Sequence, residues 1–352
     1  MDKIYVLFLC VDVVWGIIYN NIVRAKCDDC MPIWNCREAS PYMDMTDENL
    51  KKLIPYYCGI TDSFNVCCSK LRVGLAGMEH RNLKLLPDSC GEIYNTISSR
   101  LAGGTYADLY EFPWMVLIAY NTRFGEQFQC SGSLINSRYV LTAAHCVHDK
   151  EIVYIRVGEY EIGTDNDCDN DVCESNLQNI KVEEEIIHED YNPFQEYIND
   201  IALIRLKENV SMKFKNAGTI CLPVSKELRN RIITNHEATV AGWGYTEFKK
   251  ESTLLLKVDV PVISNEKCQE YYRHNSQSPA ELKKICAGTY RRDSCNGDSG
   301  GPLMLTDNYK GETKFVQYGI VSSGNIHCGS IVPALYTDVR EYVNWILDTI
   351  KE

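Results

Sequence analysis

The sequence predicts an all-β body closed by one C-terminal helix and preceded by a small module stapled by disulfides. Three observations carry this. Short β-rich runs recur between turn signals from Trp114 onward, helical spacing is credible at the C-terminal end, and six of the 17 cysteines fall between Cys27 and Cys68. The composition, 45% hydrophobic and 24% charged, is that of a globular chain. With 36 Lys plus Arg against 48 Asp plus Glu the net charge is -12, so a basic footprint for nucleic acid is missing. Cysteines in this number argue for an oxidising compartment.

In chain order, the apolar run Ile4 to Ile18 followed by Val23-Arg24-Ala25 reads as a secretion signal cut before Lys26, with a cut near Gly16 left open. Asp12 would cost a membrane anchor about 2.5 to 3.5 kcal/mol, and no later stretch is long and apolar enough to span, so no membrane association is expected. Cys27, Cys30, Cys36, Cys58, Cys67 and Cys68 mark a segment too small to bury much of a core, and cross-links worth about 2 to 4 kcal/mol each are the usual remedy. Cys27-Asp28-Asp29-Cys30 also has metal or redox spacing, but no second Cys/His pair or βαβ pattern accompanies it. Residues 69 to about 100, with Gly74, Gly77, Pro87 and the isolated Cys90, read as a linker with one tether. The strand runs are Trp114 to Tyr120, Ser133 to Ile135, Tyr139 to Thr142, Ile152 to Val157, Ile201 to Leu206, Ala238 to Ala241, Val258 to Ile263 and Phe315 to Val321, which suits a sandwich or barrel. Val339, Tyr342, Val343, Ile346 and Ile350 follow helical spacing.

Three segments set a reactive side chain among small or apolar residues: Leu141-Thr142-Ala143-Ala144-His145-Cys146, Asn199-Asp200-Ile201-Ala202-Leu203, and Gly297-Asp298-Ser299-Gly300-Gly301-Pro302. Taken singly, each has a bland explanation as a structural histidine, a turn aspartate or a glycine-rich turn. Together they supply what nucleophilic catalysis needs: a hydroxyl, an imidazole to take its proton, and a carboxylate to fix the imidazole tautomer. Gly297 to Gly301 also satisfies the G-x-S-x-G elbow of α/β-hydrolases, but the span after Ser299 has no room for that fold's strand and helix units.

Through TAAHC, NDIALIRL, AGWG (Ala241 to Gly244) and GDSGGP, in the order His, Asp, Ser, the chain resembles the chymotrypsin-like (trypsin-like) serine proteases. The resemblance implies a double β-barrel with a C-terminal helix. Ser299 would be nucleophile, His145 general base then acid, and Asp200 the group that orients His145. The backbone N–H groups of Gly297 and Ser299 would form the oxyanion hole, and Ser322 would support Asp200. Arg100-Leu101 resembles the activation site, the new Leu101 ammonium pairing with Asp298, so a zymogen is implied. Asp293 matches the carboxylate at the base of a pocket for Arg or Lys, with Ser322, Gly324 and Ala334 lining it. Ser323 stands where the family carries Trp, Ala334 where it carries Gly, and Leu101 where Ile is usual.

The six-cysteine module ahead of a linker and protease resembles the clip domain of arthropod serine proteases. The implied organisation is a signal peptide at 1–25, a clip domain at 26–69, a linker and activation segment at 70–100, and a protease domain at 101–352. The implied pairs are Cys27 with Cys67, Cys30 with Cys58, Cys36 with Cys68, Cys90 with Cys221, Cys130 with Cys146, Cys168 with Cys173, Cys268 with Cys286, and Cys295 with Cys328. The Cys90 pair would keep the light chain attached after activation. No cofactor is required, though the acidic loop around Asp165 to Glu174 could hold a structural calcium at Glu159, a solvated acidic face being the other reading. Asn209-Val210-Ser211 is a glycosylation sequon. Expected partners are protein substrates, an upstream activating protease and a serpin inhibitor. The expected role is extracellular proteolysis in a cascade such as melanisation or Toll signalling, with a non-catalytic clip-protease scaffold and a venom effector as the alternatives.

Overall fold

The computed structural model describes residues 27, 29–36, 39, 53, 56–60, 64–68, 80–93, 105–169, 171–194, 197–244, 252–272, 283–289, 298–323 and 332–352. The chain divides into two compact units, Met1–Glu79 and His80–Glu352.

In the first unit, β1 (Cys30–Pro32), β2 (Tyr57–Ile60) and β3 (Phe64–Cys67) form an antiparallel sheet in the order β1-β3-β2. Ile33, Ala39, Leu53 and Val66 are the buried apolar residues around its cystines. So small a core needs its cross-links, and the bonds Cys27–Cys67, Cys30–Cys58 and Cys36–Cys68 supply them. Cys27 and Cys30 belong to different cystines, so the CxxC presents no thiolate pair to a metal.

The second unit is built on strands β4 (Thr105–Tyr106), β5 (Met115–Thr122), β6 (Gly125–Leu134), β7 (Tyr139–Thr142), β8 (Ile152–Val157), β9 (Asp167–Asp169), β10 (Val172–Glu174), β11 (Gln178–Ile180), β12 (Val182–Ile187) and β13 (Ala202–Leu206). There follow α1 (Lys226–Arg229), β14 (Glu237–Gly242), β15 (Leu256–Ile263), α2 (Asn265–Tyr271), β16 (Lys284–Ala287), β17 (Pro302–Tyr309), β18 (Glu312–Ser323), β19 (Ala334–Asp338) and α3 (Val343–Thr349). One seven-stranded sheet runs β11-β8-β5-β6-β7-β13-β12; the other runs β14-β17-β18-β19-β16-β15-β4 and closes on itself through β14 and β15. Val116, Ile118, Leu141, Ile155 and Leu203 fill the first barrel, and Val240, Val260, Leu303, Tyr318 and Tyr336 the second.

The expected strand runs are all present, and eight more strands join them in the second unit. β12 reads as a charged stretch because it carries Glu183, Glu184 and Glu185, yet it pairs with β13 through Ile186 against Leu203 and Glu185 against Ile204. β16, β17 and β19 are largely buried, so they show no alternation to read. Helices α1 and α2 are too short for periodicity, but the hydroxyls of Ser225 and Ser264 cap them by accepting from the amides of Leu228 and Lys267.

Part of the span expected as linker packs on the second unit. Residues Arg81–Leu85 form a 3-10 turn, and the Asn82 side-chain amide donates to the carbonyls of Leu347 and Ile350 at 2.9 and 3.0 Å. Those carbonyls belong to the C-terminal end of α3, where orphan acceptors need partners. Cys90–Cys221 adds a covalent tie, and Gly91 exchanges backbone hydrogen bonds with Thr219 and Phe315. Asn82→Ala is expected to destabilise the protein by about 1 to 3 kcal/mol, since two bonds to buried acceptors are lost. Chemical denaturation checks this, and an unchanged midpoint would mean that the turn is held by other contacts.

Candidate active site

Strand register brings the first two reactive residues together. β7 and β13 run antiparallel with Thr142 opposite Ala202, so His145, three residues past Thr142, and Asp200, two before Ala202, emerge at one end of the sheet. His145 lies in a 3-10 turn, Ala144–Cys146, anchored by the Cys130–Cys146 disulfide and by the Tyr120 hydroxyl donating to the Cys146 carbonyl at 2.7 Å. Asp200 follows Asn199, whose φ of 52° is a strained value for a residue with a side chain. Asn199 is held by its own bonds: its amide donates to the Asp190 carbonyl at 2.9 Å, and its Oδ1 accepts from the Tyr342 hydroxyl at 2.8 Å.

The outcome is a bidentate contact. His145 Nδ1 lies 2.8 Å from Asp200 Oδ2, and the His145 backbone amide donates to Asp200 Oδ1 at 2.9 Å. The Asp200 side chain is fully buried while that of His145 is 21% exposed, so the pair joins the interior to the surface. Burial alone would raise the Asp200 carboxyl; the charge and hydrogen bond of His145, with Lys284 and the Ser322 hydroxyl, outweigh it and hold the group below the usual carboxylate range.

Ser299 arrives from the other sheet, just ahead of β17. Its carbonyl accepts from the Ser131 amide on β6 at 2.8 Å, which fastens the two barrels together at this point. Gly300, at φ 79°, has to be glycine: a Cβ there would come within 2.1 Å of Thr142 Oγ1 and 2.5 Å of the Ser131 carbonyl. The same Cβ position lies 3.2 Å from Cys146 Sγ, and that sulfur lies 3.6 Å from His145 Nε2. Gly300, the residue after Ser299, is thus packed against the cystine of the turn that carries His145. Asp298 Oδ1 accepts from the Gly244 amide at 2.9 Å and leaves no room for a side chain at Gly242, which accounts for the first glycine of AGWG.

A carboxylate-bound imidazole at the end of one seven-stranded sheet, with the serine segment of a second seven-stranded sheet packed against its turn, is the arrangement of one protease fold. The family profile described as Trypsin matches residues 101–346. The chain belongs to the trypsin family. It is a serine endopeptidase, and its relatives carry clip domains. It is 36% identical to Serine protease grass of Drosophila melanogaster, over 91% of this chain and 88% of that protein. It is also 36% identical to CLIP domain-containing serine protease HP8 of Bombyx mori, over 96% of each. Among solved structures it is similar to the Drosophila Grass clip serine protease of the Toll pathway, with a TM-score of 0.67 and 32% identity, covering 94% of this chain and 98% of that one.

Several trypsin-family positions expected to matter lie outside the described residues: Arg100, Leu101, Asp293, Gly297, Gly324, and the cysteines Cys295 and Cys328. The other expected cysteine pairs of the second unit are joined as Cys90–Cys221, Cys130–Cys146, Cys168–Cys173 and Cys268–Cys286. Ser322 donates to Asp200 Oδ2, and Ala334 is buried at the start of β19, opposite Ala287. Asn209 is exposed, its Oδ1 accepting from the Ser137 hydroxyl at 3.4 Å. Two residues close to Asp200 escaped the sequence reading. Tyr197 makes an edge contact with the His145 ring at 5.7 Å, and Lys284 is buried next to Ser322. The signal for Lys284 was a lysine set directly before Ile285-Cys286-Ala287.

The acidic loop is knit by the protein's own donors. Glu159, 5% exposed, meets the Arg156 guanidinium at 3.0 Å and accepts from the Tyr160 amide at 3.2 Å. Asp167 accepts from the amides of Tyr160 and Glu161 and from the Thr164 hydroxyl. Calcium takes six to eight oxygens, whereas these carboxylates already face a cation and several N–H and O–H donors, which fits an internal network better than a calcium cage. Burial pushes the Glu159 carboxyl up to about 6 against the opposing pull of Arg156. A raised carboxyl contributes stability below its unfolded value of 4.5 and loses it as pH climbs through about 6. Glu159→Gln is expected to remove that part of the stability loss over this window. Melting curves of both proteins at closely spaced pH values check this, and parallel curves would contradict it.

Proposed function

We propose that this endopeptidase is a secreted zymogen, with the signal peptide at 1–25, the clip domain at 26–69, the linker at 70–100 and the protease domain at 101–352, activated by cleavage after Arg100. The observation that carries the catalytic reading is the His145–Asp200 contact: Asp200 claims Nδ1, so the lone pair of a neutral imidazole is left on Nε2, on the Cys146 side of the ring, against which the Gly300 backbone packs. His145 then takes the Ser299 proton as the hydroxyl attacks the peptide carbonyl, Asp200 stabilises the imidazolium, and His145 returns the proton to the leaving amine. The amides of Gly297 and Ser299 hold the oxyanion, a role in which one donor is typically worth about 2.7 to 4 kcal/mol. Asp298, already at Gly244, receives the new Leu101 ammonium. Asp293 selects Arg or Lys, because a buried carboxylate without a cation is costly.

The partners in this reading are protein substrates, an activating protease and a serpin inhibitor. The setting is an extracellular cascade of the Toll or melanisation kind, a reading supported by the similarity to Grass of the Toll pathway and to Melanization protease 1 of Drosophila melanogaster. No helix among the described residues is long and apolar enough to cross a membrane. Asn209, being exposed, would carry the glycan. The Glu159–Arg156 pair takes the place of a metal, so added calcium should leave the melting temperature where it is; a rise abolished by Glu159→Gln would assign the loop to calcium.

The test is to cut the purified chain after Arg100 and compare Arg, Lys and Phe peptide substrates, with Ser299→Ala as control. Turnover of Arg and Lys substrates that vanishes in Ser299→Ala is expected. Faster hydrolysis of Phe substrates would refute the role given to Asp293. A folded, cut chain without turnover would favour the scaffold reading, which Ser323 and the buried Ala334 suggest by departing from the family pattern.

A further inference from the structure

Lys284 lies on β16 with only 3% of its surface exposed. Its Nζ donates to Ser322 Oγ at 2.6 Å and to Thr337 Oγ1 at 3.0 Å. Both hydroxyls continue to Asp200: Ser322 donates to the carboxylate Oδ2, and Thr337 donates to the backbone carbonyl at 2.8 Å. An ammonium can only donate, and a hydroxyl has a single proton. With Lys284 filling the acceptor side of each hydroxyl, each proton has to point at Asp200. The cation therefore sets the direction of two hydrogen bonds at once, and it places a positive charge behind the Asp200–His145 pair.

Burial pulls its ammonium down to about 8, against the attraction of Asp200, which means that folding works against the charge. Replacing a whole buried ion pair by apolar side chains is often tolerated, whereas removing one partner leaves the other uncompensated, so the charges of Lys284 and Asp200 depend on each other.

We propose that Lys284 is a positioning residue, which orients the Ser322 and Thr337 hydroxyls onto Asp200 and so holds the carboxylate in the geometry that aligns the His145 ring. The proposal rests on His145 acting as general base. Without the ammonium each hydroxyl can turn its proton elsewhere, and Asp200 loses donors that fix its place beside the ring. Other charges around the cluster are already engaged: Asp338 is paired with Arg340 at 2.6 Å, and the Lys283 ammonium lies 5.0 Å from the centre of the Tyr342 ring. The Tyr191 and Tyr342 phenols, which also feel the Asp200 charge, are raised by burial and stay neutral.

The experiment follows the hydrogen-bonded Nδ1–H signal of His145 by NMR in the uncut full-length chain, in wild type, Lys284→Met and Lys284→Gln, and then kcat and KM separately after cutting at Arg100. Lys284→Met should weaken or broaden the Nδ1–H signal and lower kcat by about tenfold to a hundredfold with KM little changed. Lys284→Gln, which keeps a hydrogen-bond donor but no charge, should lie between Lys284→Met and wild type. An unchanged signal and kcat in folded Lys284→Met would overturn the proposal, and so would a fall in melting temperature with neither changed, which would mark Lys284 as structural. Should Lys284→Met fail to fold, the comparison of Lys284→Gln with wild type carries the same readout. Because the Nδ1–H signal needs no turnover, an inactive wild type would count against the catalytic roles and leave the Lys284 result readable.

Discussion

The carboxylate of Asp200 lies wholly out of water, and a charge in that position takes up a proton unless enough donors surround it. Its donors come from both sheets. The His145 ring and amide reach it from the end of β7 and Ser322 from β18, while Thr337 on β19 donates to the backbone carbonyl of the same residue. Neither barrel supplies all of them, so the charged state of Asp200 depends on both sheets being folded and joined. The imidazole inherits its orientation from that arrangement.

The joint between the barrels is made of small residues and backbone. Ser131 on β6 donates to the Ser299 carbonyl, Thr142 on β7 donates to the Ser131 carbonyl, and Gly300 fits against both only because it lacks a side chain. Contacts of this closeness tolerate no added volume, since neighbouring backbone cannot move aside. The serine therefore has little positional freedom before any substrate arrives, which is the preorganisation that catalysis by proximity requires.

How much of this was legible in the sequence depended on the kind of constraint. His145, Asp200 and Ser299 stood out because their neighbours have to be small or apolar for the strands to meet, and that requirement is written in the residues themselves. Cysteine partners were legible only through family resemblance, since spacing does not determine pairing. Lys284 was marked only as a lysine ahead of Ile285-Cys286-Ala287: its strand is buried on both faces, so no alternation shows which side chain points at Ser322. The acidic β12 and the Asn82 turn were hidden for a related reason, as their stabilising contacts are backbone ladders and helix-end carbonyls that leave no hydrophobic period.

The Cys130–Cys146 bridge sits directly against the functional imidazole, its Cys146 sulfur 3.6 Å from Nε2. Both of its cysteines are buried, so a reducing thiol could reach the bond only through local opening of the strand and turn. Breaking it would release the turn that presents the base from β6. The catalytic corner is in this way coupled to redox poise: the bond that shapes it lasts where the surroundings are oxidising.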